Sequence, residues 1–184
     1  MQKSNDGLIS QNGFAEIYDV HCEMVFNVAL NYVQQIEDAE EITQDVFIKI
    51  YKKRGGFKEG SSLKTWVYRI TINTALDFLR KKSRHQRLKG SSVTESAQIN
   101  KSEWRHPGIL LEEKEAYEAL FMLLNRLPES QKTVIILLKI EGLNQKEAAH
   151  IMRLKEKALE SLFQRAKKNL ITSLEKEKLK NNVQ

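Results

Sequence analysis

Apolar residues recur at intervals of three and four through most of the chain, and each run predicts a helix with one buried face. Over residues 14–34 the stripe is Phe14, Ile17, Tyr18, Val25, Val28, Ala29 and Tyr32. The next run, DAEEITQDVFIKIYKK, gathers Ile42, Val46, Phe47, Ile50 and Tyr51 and leaves Asp38, Glu41, Gln44, Asp45 and Lys49 outside. Its acids stand in the first turn and its lysines in the last, as the helix dipole favours. RGGFKEGSS then breaks the period with three glycines and two serines, which predicts a loop. Helical spacing resumes in SLKTWVYRITINTALDFLRKKSRHQRLK, from Ser62 to Lys89. One face of this helix is unusual, because Trp66, Arg69, Asn73, Asp77 and Arg80 share it.

Between Gly90 and Gly108 the period disappears in a polar stretch with a Pro-Gly near its end, which reads as a linker. Trp104 inside it is a large aromatic that ordinarily packs on something. The period returns from Ile109 through LLEEKEAYEALFMLLNRL and LPESQKTVIILLKIEG, where Pro128 suits a first turn and Gly142 a stop. Asn144, with Glu147 three residues on, forms an Asn variant of the capping box for QKEAAHIM. A helix ending near Arg153, a three-residue turn and a longer basic helix from about Glu156 have helix-turn-helix spacing. In that last helix Leu159, Leu162, Phe163, Ala166 and Leu170 form the apolar stripe, and Lys157, Ser161, Gln164, Arg165 and Lys168 lie outside it. The expected fold is all-α, with two small helical domains over residues 1–89 and 112–184 and a flexible linker over 90–111.

Composition supports this reading. Of 184 residues 41% are hydrophobic and 29% charged, with two prolines and eight glycines, so packed helices are expected rather than disorder. The single Cys22 excludes a disulfide framework and points to a reducing compartment. The opening MQKSNDGLISQNGF has no apolar signal core, and no run of about 18 apolar residues exists for a membrane span. A cytoplasmic protein without membrane insertion is expected. His21, His85, His106 and His150 lack metal-ligand spacing, and the GGF loop lacks the ending of a phosphate cradle. Neither a metal, a cofactor nor an enzymatic activity is expected.

The net charge of +6 is unevenly distributed: residues 1–48 carry −8, residues 49–90 carry +11, and the remainder +3. This predicts one partner for the acidic surface and a polyanion for the basic one. Two oppositely charged helices satisfying each other would absorb part of the imbalance. They would not absorb Arg80, Lys81, Lys82, Arg84, Arg87 and Lys89 within ten residues. The Trp66 face spans roughly 20 Å at 1.5 Å per residue. Trp66 alone fits a core aromatic as well as a stacking platform. Beside the glycine-rich loop and the basic tail, the face fits a nucleic-acid strand better, with Asn73 for a base edge or phosphate and Asp77 to orient Arg69 or Arg80.

These motifs resemble the extracytoplasmic-function (ECF) sigma factors, the two-domain initiation subunits of bacterial RNA polymerase. The resemblance covers about residues 12–88 and 112–174. DAEEITQDVFIKIYKK followed by FKEGSSLKTWVYRITINTALDFLRKK is similar to their first domain, and LPESQKTVIILLKIEGLNQKEAAHIM…RAKKNL to their second. It implies a region 2-like domain at 1–89 and a region 4-like domain at 112–184. Glu41, Gln44, Asp45 and Ile48 would dock on the clamp helices of the core polymerase. Phe57, Lys58, Ser61 and Ser62 of the loop would capture a flipped base of the promoter −10 element. Trp66, Arg69, Asn73, Arg80, Lys81 and Lys82 would hold the melted strand. Lys157, Ser161, Gln164, Arg165 and Lys168 would read the −35 duplex, and an anti-sigma factor is a candidate further partner. The chain departs from the family pattern at Arg153 and Lys155, where a turn Gly and a capping Ser are common, and at Glu160 and Leu162, where basic residues are. The competing reading is a helix-turn-helix regulator of duplex DNA that never meets core polymerase, for which the strand face would have no use.

Overall fold

The computed structural model describes residues 11–53, 62–88 and 111–181. Seven α-helices occupy them: α1 (Gln11–Val33), α2 (Ile36–Lys53), α3 (Leu63–Leu88), α4 (Leu111–Asn125), α5 (Glu129–Ile135), α6 (Gln145–Met152) and α7 (Glu156–Asn181). A π-helical turn, Ile136–Ile140, extends α5. There is no strand among the described residues. The chain divides into two compact units, residues 1–104 and 105–184. The linker expected at 90–111, with Trp104, falls almost wholly outside the described residues.

In the first unit α1, α2 and α3 pack on one another. Val25, Val28, Ala29, Leu30 and Tyr32 of α1 meet Ile42, Val46 and Ile50 of α2 and Val67, Tyr68 and Ala75 of α3, all fully or nearly fully buried. Each large aliphatic side chain so buried contributes about 1.5–3 kcal/mol. The α1–α2 connection is short because Gln34 adopts the left-handed conformation (φ 59°) while its N–H still donates to the Leu30 carbonyl at 2.8 Å. Buried Thr43, Thr71 and Thr74 donate their hydroxyls to the carbonyls four residues back, at 2.7–2.9 Å, so no partner from the core is needed. Side chains link α2 to α3, among them Lys49 Nζ, which donates to Thr74 Oγ1 at 3.1 Å, and Lys82, which forms an ion pair with Asp38. Their order along the chain makes α2 and α3 antiparallel neighbours.

The aromatic ends of the predicted stripes are corrected by the structure. Tyr18 and Tyr51, placed by periodicity on the buried faces, are 45% and 41% exposed. They lie at the edge of the stripe, where a ring rests on its neighbours and leaves one side to water. Tyr18 stands 4.7 Å from Phe47 and Tyr51 5.4 Å from Phe14, centroid to centroid.

In the second unit Phe121, Leu124, Val134, Ile136, Leu137, Ala148, Leu159 and Ala166 form the core. Pro128 stands just before α5 as its N-cap, and its carbonyl accepts from Gln131 and Lys132. The π-helical turn is closed by Glu141 N–H donating to the Ile136 carbonyl at 2.9 Å, five residues back, and Gly142 (φ 65°) ends it. Periodicity predicts an uninterrupted helix here, because one inserted residue leaves the apolar run VIILL unchanged. The capping box forms as expected: Glu147 N–H donates to Asn144 Oδ1 at 2.9 Å, and Asn144 N–H to Glu147 Oε2 at 3.0 Å. α6 ends at Arg153, which takes the left-handed conformation (φ 56°), and the Lys155 carbonyl opens α7 by accepting from Ala158 and Leu159.

Candidate docking and nucleic-acid interfaces

On α2 the apolar stripe faces α1 and α3, which leaves Glu41, Gln44, Asp45 and Ile48 together on the outer face. Ile48 is 50% exposed, an apolar side chain among acids with nothing in its own unit to cover it fully. The half-exposed Tyr18 and Tyr51 rings add apolar surface from α1 and α2. Such a face suits a partner that is apolar at its centre and basic at its rim.

On α3 the buried residues are Thr65, Val67, Tyr68, Ile70, Thr71, Ile72, Thr74 and Ala75. The remaining arc carries the unusual set: Trp66 and Arg69 half-buried, and Asn73, Asp77 and Arg80 exposed. Trp66 is therefore neither a core residue nor a fully free platform. Its ring is partly supported by the unit and partly open. Arg80 Nη1 sits 3.2 Å from Asp77 Oδ1, so the acid in this face orients a cation as the i,i+3 spacing implies. Lys81 is exposed, whereas Lys82 turns to Asp38 on α2 and lies 5.9 Å from the Phe78 ring. Near the start of the helix, burial and the neighbouring Lys64 hold the His21 imidazole below its ordinary pKa.

Ser62 has a second task. Its hydroxyl oxygen accepts from the Thr65 N–H at 3.2 Å and lies 2.9 Å from Thr65 Oγ1, and its carbonyl accepts from Trp66. It is thus the N-cap of α3, and the cap fixes where Trp66 emerges from the helix. Phe57, Lys58 and Ser61, the rest of the expected base-capturing loop, lie outside the described residues.

On α7, Leu159, Leu162 and Ala166 are buried, and Phe163 and Leu170 are half-buried. Lys157, Ser161, Gln164, Arg165 and Lys168 are all exposed, most of them opposite that stripe, with Glu160 exposed on the same side. Ser161 donates its hydroxyl to the Lys157 carbonyl at 3.0 Å, so towards a ligand it is left as an acceptor. Arg165 Nε donates to the Ser161 carbonyl at 3.4 Å. Lys139 of the π-helical turn and Lys167 flank the Phe163 ring at 5.7 and 5.4 Å.

Sequence reasoning missed the cross-helix partners of this constellation. Asp38 reads as one more acid in a first turn, and Lys49 as one more solvated cation. Their attachment to Lys82 and Thr74 depends on α2 lying antiparallel to α3, which no local spacing reports. Among the described residues, no group of three or more His, Cys, Asp or Glu side chains is placed to hold a metal ion. None of the described helices is long and apolar enough to cross a membrane.

Comparison with known proteins agrees with this geometry unit by unit. The model of sigma-70 region 2 matches residues 17–85, and that of sigma-70 region 4 matches residues 117–170. The chain is 26% identical to the ECF RNA polymerase sigma factor SigW of Bacillus subtilis (strain 168) over 148 residues, 78% of this chain and 79% of that one. It is 29% identical to the RNA polymerase sigma-H factor of Pseudomonas aeruginosa over 159 residues, 82% of this chain and 80% of the relative. Among solved structures, the sigma factor RpoE of Bartonella quintana, crystallised with the anti-sigma factor NepR, aligns with a TM-score of 0.66 at 25% identity. That alignment covers 88% of this chain and 96% of the other. Two region models in this order across most of the chain, with relatives that are themselves sigma factors, place it: the chain belongs to the sigma-70 family and is an ECF sigma factor, a protein of transcription initiation.

Proposed function

We propose that the chain binds core RNA polymerase through Glu41, Gln44, Asp45 and Ile48 of α2, directed at the clamp helices of the largest subunit. From there it opens promoters with α3 and reads the −35 duplex with α7. The observation that carries this reading is the antiparallel pairing of α2 and α3. It sets a face of acids around an exposed isoleucine beside a helix that carries Trp66, Arg69, Asn73 and Arg80. A strand parted near the polymerase surface would then meet an aromatic ring, amide and guanidinium groups within reach of the docking helix.

Opening the duplex needs compensation, since extruding a base costs a few kcal/mol. Stacking on an aromatic returns about 1–3 kcal/mol per base, and Lys and Arg add phosphate contacts. Trp66, Asn73, Arg69, Arg80 and Lys81 supply those terms, together with Phe57, Lys58 and Ser61 of the loop. In the second unit Lys157, Gln164, Arg165 and Lys168 suit phosphates and base edges, and Ser161 accepts. The chain works in the cytoplasm with the polymerase, acts without catalysing a reaction itself, and takes an anti-sigma protein as a further class of partner. The domain limits 1–89 and 112–184 belong to the same reading.

The test is transcription in vitro with purified core polymerase and a pool of genomic fragments, with core alone as the control. Wild-type chain should yield discrete transcripts. Gln44→Ala combined with Asp45→Lys should abolish co-purification with core and all transcripts, while the helical circular dichroism stays unchanged. Duplex binding without core association would favour the stand-alone regulator instead.

A further inference from the structure

Lys49 and Lys82 both cross between α2 and α3 in the first unit, and they do different work. Lys49 of α2 reaches Thr74, on a part of α3 that the core already holds, because Thr71, Thr74 and Ala75 are buried. Lys82 of α3 reaches Asp38 from beyond Ala75, where no described side chain of the helix is buried. Phe78 and Leu79 are half-buried there, and the cations Arg80, Lys81, Arg84 and Arg87 project to solvent. Arg80 pairs with Asp77 and Arg87 with Ser83, both on α3 itself. Lys82 leaves the helix for its neighbour. The two ends are unequally shielded, 19% exposed for the Asp38 side chain and 46% for Lys82. The carboxylate also sits in the first turn of α2, where the helix dipole favours its charge.

We propose that Asp38 and Lys82 are a positioning pair that sets the basic half of α3 against the docking helix, so that Lys82 serves the promoter strand through Asp38 rather than by binding a phosphate. The inference rests on the strand-binding reading of α3. A helix half with little core beneath it keeps its direction only if something ties it laterally. Without the tie, Lys81, Arg84 and Arg87 would sample a wider range of positions, and strand binding would carry the cost of ordering them. The pair also links the helix that docks to the helix that holds the strand, along one edge of the unit.

The experiment measures binding of the full-length chain to a fluorescein-labelled single strand of random sequence over a series of potassium chloride concentrations. Wild type, Asp38→Asn, Lys82→Gln, the double variant and the swap of Asp38→Lys with Lys82→Asp are compared. The expected result is a two- to fivefold loss, roughly what an exposed ion pair supports, in each single variant. The double variant should be no weaker than either, the single and double variants should share one salt dependence, slightly flatter than wild type because salt screens the pair they lack, and the swap should recover most of the affinity. If Lys82 were instead a phosphate ligand, Lys82→Gln would flatten the salt slope by about 0.7 and Asp38→Asn would not. Asp38→Asn would then tighten binding by freeing the cation. Either result overturns the proposal, as does a loss of affinity that tracks a loss of helical circular dichroism. Failure of wild type itself to bind the strand would instead refute the strand-binding reading of α3, before any variant is compared.

Discussion

Lys132 Nζ donates to Asn125 Oδ1 at 2.6 Å, tying the last residue of α4 to the buried face of α5. The lysine is only 5% exposed, and burial lowers its pKa to about 8. In the unfolded chain the same group keeps its ordinary value of 10.5. Between those limits the unfolded chain binds the proton and the folded chain does not, so stability rises with pH. Below about pH 8 both states are charged, and this residue adds no pH dependence. The expected gain across the window is on the order of 3 kcal/mol. Lys132→Met should raise the melting temperature at neutral pH, since the amide of exposed Asn125 can turn to water. It should also remove the rise between pH 8 and 10. Thermal melts of the two proteins over that range check both, and parallel curves would refute the burial argument.

The turn between α6 and α7 carries two local costs. Arg153 occupies a left-handed position that an L-residue enters at a cost of roughly 1 kcal/mol. Lys155 opens α7 without the side-chain oxygen that suits a cap. Arg153→Gly should stabilise the second unit by up to about 0.5 kcal/mol after the entropy of the added glycine is counted. Lys155→Ser should add about 1 kcal/mol through a new cap. Urea denaturation monitored by circular dichroism reads both, and the midpoint should shift upward in each. A midpoint that falls for Arg153→Gly would mean that its side chain holds the turn.

Trp66 and Asn73 share the outer face of α3, one half-buried and the other exposed. Replacing either with Ala should weaken promoter opening more than closed-complex binding, because these groups meet DNA only after the strands part. Loss of a stacking ring should cost about 1–3 kcal/mol in the opening step. Permanganate reactivity of unpaired thymines reports that step, and filter retention of the closed complex reports the other. Equal losses at both stages for Trp66 would assign its role to the fold.

Glu160 is exposed on the same side of α7 as Gln164 and Lys157. Glu160→Lys separates three positions for it. If the carboxylate accepts from a cytosine amino group, specificity should relax or switch at one −35 base pair, by about 1–3 kcal/mol. If it only borders the backbone, binding should tighten on all sequences alike, with the salt slope steeper by about one counterion. No change in either quantity would place it off the DNA. Binding of the holoenzyme to a panel of −35 variants at two salt concentrations distinguishes the three.

What the sequence determined by itself was everything that a helical period and a cap can express. The α2 stripe, the outward Glu41, Gln44 and Asp45, the mixed face from Trp66 to Arg80 and the Asn144–Glu147 box depend on spacing within a few residues. Local spacing survives folding intact. The ion pair of Asp77 with Arg80 belongs to the same class, one turn apart on one helix. What the tertiary structure alone decided were relations between helices, or within the backbone, that leave no period behind. Asp38 finds Lys82 across 44 residues, and Lys49 finds Thr74 across 25, only because α2 and α3 run antiparallel. Tyr18 and Tyr51 keep their helical phase yet stay half open to water, since the width of a buried stripe is set by the neighbour that covers it. The π-helical turn before Gly142 and the buried ammonium of Lys132 are hidden for one reason. Each sits in a run whose pattern of apolar letters is satisfied by an ordinary helix, and only packing shows which backbone and which side chain the core accepted.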